Sequence, residues 1–205
     1  MDNNPIYARK PVITYLLIAA NVLLWLLETV AGGSDNIDVA MKFGALYTPY
    51  VMQYGQWWRL ITSMFLHFGI DHLASNMISL GAIGPYAEWY YGRAGMLVLY
   101  FAGGISGDLL TIAVENRSGD YGISAGASGA IFGLVSIFII FALTPGLRRI
   151  FPMKRVILAI VLMLLPGFSD HSISMTAHMG GLLGGFVTAL LLLPLRIHTE
   201  HSRGW

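Results

Sequence analysis

The sequence predicts an all-α polytopic membrane protein, one domain built as a bundle of six transmembrane helices. Three observations carry that prediction. The 205 residues are 56% hydrophobic and 11% charged, against about 25% charged in an average soluble domain, and the mean hydropathy is +0.65. Six stretches approach the ~20 apolar residues that a bilayer core requires. Lysine and arginine then gather on alternate sides of those stretches. The formal net charge of +1 offers no basic face to phosphates, which excludes nucleic acid as a partner. Without cysteine there are neither disulfides nor thiolate metal sites.

The first span runs from Val12 to Val30. The alternative is a cleaved signal peptide with Ala31-Gly32-Gly33 as its small-residue site, but the apolar core is too long for one. Residues 31 to 59 form an outer loop ending GQWWR, longer than a connector needs. Tyr54, Trp57 and Trp58 suit the headgroup level, where amphipathic rings collect. The next spans run from Leu60 to Ile83, Ala94 to Val114 and Ser128 to Leu143. The fifth, Val156 to Phe168, is short and ends in Pro166 and Gly167, which marks it as the mobile helix of the set. The sixth covers Met175 to Leu195.

With the N-terminus inside, the inner side collects Arg9, Lys10, Arg93, Arg148, Arg149, Lys154, Arg155, Arg196 and Arg203, nine of the twelve cations. Lys42, Arg59 and Arg117 stay outside, and both termini face the cytosol.

Ionisable side chains within a span are costly and mark function. The second span carries FLHFGIDHLASNM. On a helix His72 and Asn76 are i, i+4 neighbours with donors aimed at one cavity, whereas His67, five residues back, points elsewhere. Interhelical hydrogen bonding is the plain alternative for such a pair.

The sixth span opens TAHMGGLLGG, where Gly181 and Gly185 make a small-residue stripe that admits another backbone, with His178 on nearly the same face. The stretch GISAGASGAIFG, residues 122 to 133, holds the matching stripe, Gly129 and Gly133, one residue after Ser128. Pairing the stripes brings Ser128 beside His178 near the outer end of both helices.

A serine hydroxyl becomes a nucleophile when a neighbouring base takes its proton, and neutral His178 would serve as that base. Acyl transfer also needs donors for the developing oxyanion, and His72, Asn76 and the backbone N–H of Ser128 are the candidates. Gly126 and Gly129 leave space for a substrate backbone beside the serine. No carboxylate in the sixth span orients His178, which points to a dyad rather than a triad. Asp71 and Asp170 are the nearest acids in sequence, one beside the oxyanion pair and one in the outer loop DHSIS.

These residues resemble a known family. GASG around Ser128, H-x-x-x-N at His72 to Asn76, and AH-x-x-G-x-x-x-G at His178 to Gly185 are similar to the motifs of the rhomboid intramembrane serine proteases. The likeness covers nearly the whole chain, including the Trp58-Arg59 pair of the first outer loop and the acidic Glu88 at the inner end of the second span. It implies a rhomboid-like bundle of the minimal six-helix form, without appended soluble domain or seventh span. It also implies a cofactor-free, metal-free endopeptidase acting on transmembrane protein substrates within the lipid bilayer. Carried over by position, Ser128 is the nucleophile, His178 the general base, and His72 with Asn76 the oxyanion donors. His67 is structural, and Gly126, Gly181 and Gly185 serve helix approach. The family's fifth helix and the loop after it, here residues 167 to 175, would admit substrate and water. Phe132 stands where a tyrosine commonly stacks on the catalytic histidine; it keeps the ring and loses the hydroxyl, so activity should survive.

Other classes fare worse. A silent relative that escorts membrane helices would generally lack the serine or the histidine. A metal or proton transporter using His67, His72 and His178 fails on spacing, since residues five apart on a helix do not share a face and no intramembrane carboxylate joins them. An ordinary helical scaffold would make the motifs coincidence. One monomer suffices for the dyad. A substrate helix must unwind before cleavage, which favours helix-weak residues near the outer face. Asn116-Arg117-Ser118 would be glycosylated only in a eukaryotic secretory membrane; the compact form and cytosolic ends suit a bacterial inner membrane better.

Overall fold

A computed structural model describes residues 10–169 and 174–201. Helix α1, Val12–Val30, is apolar all round yet sided. Thr14, Leu17, Asn21 and Glu28 are buried at helical spacing, while Tyr15, Leu16, Leu23, Leu26, Leu27 and Val30 are exposed. Polar groups turned inward and leucines turned outward are the arrangement expected of a helix surrounded by lipid.

The stretch after α1 is folded. It contains α2 (Ile37–Phe43), the two-residue strand β1 (Leu46–Tyr47), α3 (Thr48–Tyr54) and α4 (Arg59–Thr62), followed by a 3-10 turn over Ser63–Phe65. Arg59 organises it from a buried position. Its guanidinium donates to the carbonyls of Met41 and Ala45 and to Gln56 Oε1, and it lies 5.0 Å from the Tyr50 ring centroid and 4.7 Å from that of Trp58.

Helix α5, Gly69–Ser118, is two helices joined at Gly92, whose φ of 74° and ψ of 178° turn the chain with almost no loop. Strand β2 (Ile123–Ser124) pairs antiparallel with β1, Leu46 opposite Ser124 and Tyr47 opposite Ile123. Helices α6 (Ser128–Val135) and α7 (Ile137–Leu143) follow, then α8 (Met153–Leu164), α9 (Pro166–Ser169) and α10 (Met175–His201).

Among the described residues three helices are long and apolar enough to cross a membrane: α1, α5 with its two limbs, and α10 over Met175–Pro194. Residues 128–143 and Met153–Leu164 are apolar but shorter than the ~20 residues of a straight crossing. One expected boundary moves substantially. The helix bearing His72 starts at Gly69 and not Leu60, because Leu66 is extended and Gly69 has φ of 78°.

The bundle closes on glycine. A Cβ at Gly181 would land on the carbonyl oxygen of Gly129, and one at Gly185 on that of Gly133, so the two stripes meet as the spacing predicts. A third stripe, unread in the sequence, lies on the second limb of α5. A Cβ at Gly103 would stand 2.7 Å from Gly133 Cα, and one at Gly107 2.6 Å from the Ala177 oxygen.

At the other end of the bundle Glu88 caps α1 from α5. Its carboxylate accepts the N–H groups of Ile13 and Thr14, both at 3.1 Å, and the Thr14 hydroxyl at 3.2 Å. Two of the orphan donors that begin any helix are thereby satisfied. Glu88→Leu should cost about 1–3 kcal/mol by leaving those donors unpaired, and Glu88→Gln less. Thermal unfolding in detergent measures both; equal losses would mean that side-chain volume matters and the acceptor does not.

Candidate active site

The break at residues 66–68 lets two separated segments reach one place. From it the first limb of α5 presents His72, Ser75, Asn76 and Ser79 along one face. The loop before α6 is tied down at three points: the β1–β2 pairing, the Gly126 N–H donating to the Ser63 carbonyl at 2.9 Å, and the Ala127 N–H directed at His67 Nε2 at 3.5 Å. It delivers Ser128 as the first residue of α6.

From α10 comes His178, buried and stacked on Phe132 with centroids 4.3 Å apart and planes 25° from parallel. Ser128, His178, His72 and Asn76 all line one cavity of about 620 Å³. The neighbouring backbone brackets the first two, since a Cβ on Gly129 would lie 3.4 Å from the Ala177 oxygen.

Several particulars differ from the sequence reading. His67 does not point away from His72; their rings meet edge to face at 5.0 Å, because His67 precedes the helix rather than lying on it. Gly126 lines the cavity and meets the His72 ring rather than the backbone of another helix. With φ of 137° it makes room for His72, whose Cε1 and Nε2 would stand 2.9 Å from an added Cβ. The Asn76 amide is oriented by its own helix, donating one N–H to the His72 carbonyl at 2.9 Å and keeping a second.

Intramembrane carboxylates are also present. Asp108, on the second limb of α5, accepts the Ser63 hydroxyl at 2.7 Å and lines the same cavity. Glu28 accepts the His67 N–H at 3.3 Å. Both were legible as acids inside apolar runs, SGDLL and LLETV.

Neither is hydrogen-bonded to His178 among the described residues. Its Nδ1 is buried without a hydrogen-bond partner among the described residues. Asp71 lines the cavity from an exposed position, and Asp170 lies outside the described residues. Among the described residues no group of three or more His, Cys, Asp or Glu side chains is arranged to hold a metal ion.

Comparison with known proteins bears on what this cavity is for. Residues 54–195 match the family model described as the Rhomboid domain. The chain is 38% identical over 186 residues to Rhomboid protease GluP of Bacillus subtilis (strain 168), covering 89% of this chain and 35% of that protein. It is 35% identical over 182 residues to YdcA of the same bacterium, covering 88% of each. RHOMBOID-like protein 5 of Arabidopsis thaliana is 35% identical over 161 residues, which cover 77% of this chain and 51% of the plant protein. The chain thus spans about a third of GluP and half of the plant relative.

Proposed function

The chain belongs to the rhomboid family, and from that premise we propose that it is an intramembrane serine endopeptidase. It cleaves peptide bonds within or next to the transmembrane segments of other membrane proteins. The observation that carries this reading is the single cavity onto which Ser128, His178, His72 and Asn76 all open.

The mechanism follows from those groups. His178 takes the Ser128 hydroxyl proton as the oxygen attacks the scissile carbonyl carbon. Its Nδ1 is buried, so Nε2 is the nitrogen that works. The oxyanion is held by the free Asn76 N–H, the His72 ring and the Ser128 backbone N–H. His178 returns the proton to the leaving amine; it then deprotonates a water that attacks the acyl-enzyme, and the serine is regenerated. Phe132 holds the imidazole plane by stacking, a task a carboxylate performs in a triad.

In our reading the polypeptide is one domain that crosses the bilayer six times, as α1, the two limbs of α5, α6–α7, α8–α9 and α10. Nine of twelve cations then lie inside and both termini are cytosolic, in a bacterial cell membrane. Helix α8 buries only Val156 and Ile160, and we read it with the loop after it as the place where substrate is admitted.

Purified protein incubated with a fluorophosphonate probe tests the proposal. Wild type should be labelled, with labelling absent from Ser128→Ala and His178→Ala. Folded wild type that stays unlabelled in lipid would overturn it and leave an escort of membrane helices as the reading to pursue.

A further inference from the structure

A buried histidine and a buried carboxylate stand outside the catalytic set. Glu28 on α1 and His67 are 0% and 1% exposed. They already touch, since Glu28 Oε2 accepts the His67 backbone N–H at 3.3 Å. Each also carries one further buried polar atom with no hydrogen-bond partner among the described residues, Oε1 on Glu28 and Nδ1 on His67.

The two atoms are chemically complementary in one tautomer of the ring. The other ring nitrogen says which. The Ala127 N–H is directed at His67 Nε2, and a nitrogen that faces an N–H carries a lone pair. The ring proton therefore sits on Nδ1, where the Phe65 carbonyl and Glu28 Oε1 are the two candidate acceptors.

We infer that Glu28 is a positioning residue for the serine. It holds His67 as the Nδ1–H tautomer through one bridging water, and His67 in turn holds Ala127 by its N–H. Ala127 precedes Ser128, and the His67 ring also abuts His72. One carboxylate on α1 thus steadies the nucleophile and an oxyanion donor at once, an inference that rests on the protease reading for its effect on rate.

Histidine labelled with ¹⁵N in the full chain, reconstituted in lipid, reads the tautomer through its imidazole shifts, with the His67 signals assigned by their loss in His67→Asn. Wild type should show Nδ1 protonated and Nε2 bare. Glu28→Leu should give a tautomer mixture and lower kcat by about 10- to 100-fold, the range known for lost outer partners of metal-bound histidines, with KM unchanged. Glu28→Gln has one acceptor oxygen for the two donors that Glu28 faces, so it should fall between wild type and Glu28→Leu in both tautomer and rate.

A proton on Nε2 in wild type, or an unchanged tautomer in Glu28→Leu, would overturn the inference. Should the leucine variant not fold, the wild-type tautomer and the glutamine variant decide. The shifts do not depend on catalysis. A protein with the expected tautomer that takes no fluorophosphonate would sink the protease reading and leave the pair standing.

Discussion

Alanine at His178 is expected to lower kcat for cleavage of a transmembrane peptide by about 10⁴- to 10⁶-fold, with KM near wild type. The serine hydroxyl is neutral without a base, and no carboxylate bonds His178 Nδ1 among the described residues to share the task. Ser128→Ala should cost as much. The double variant should cost no more than either, because the two groups act in one step and removing the second from a broken pair removes nothing further. Asn76→Ala should fall less, by about 10²- to 10³-fold, the loss of one oxyanion donor among several. Single-turnover rates in proteoliposomes measure all four. A double variant whose loss is the product of the two single losses would mean that Ser128 and His178 act independently, and the dyad would have to be abandoned.

The second large effect is on stability. Gly181→Leu should destabilise the bundle by about 3 kcal/mol or more, at or beyond the top of the usual range for overpacking. The obstacle explains the size. The new Cβ would fall on the carbonyl oxygen of Gly129 in the first turn of α6, and helix backbone has no alternative rotamer. In a chain of this size that loss is a drop of about 6–12 °C in Tm. Gly146→Ala is the control, since nothing lies within 4 Å of its would-be Cβ. A Gly181 variant that melts with the control would show that α6 and α10 do not need their close approach.

Much of this was legible because membrane helices write their contacts in short periods. The four-residue spacing of Gly129 with Gly133 and of Gly181 with Gly185 states that two backbones meet, and they do. The same signal stood in YFAGGISGD, yet the stripe of Gly103 and Gly107 carries no serine or histidine to draw attention to it. His67 was misjudged for a different reason. Hydropathy runs unbroken from Leu60 to Ile83, and it does not register an extended residue at Leu66 or a left-handed glycine at Gly69. A helical wheel drawn through that break assigns the wrong face.

What the sequence determined by itself is the membrane character, the helical class, the paired glycine stripes and the residue types of the candidate site. Each is a local property, set by the length of an apolar run or by the 3.6-residue turn of a helix. The tertiary structure alone decided which side chains share the cavity, that His67 meets His72, and that Gly126 yields its space to a ring. It alone joined Glu88 to helix donors 74 and 75 positions away, and Glu28 to a backbone N–H at a distance of 39 positions. A buried carboxylate in an apolar run announces that it needs partners. Which partners it finds depends on the packing of segments far apart in the chain, and no local pattern records that.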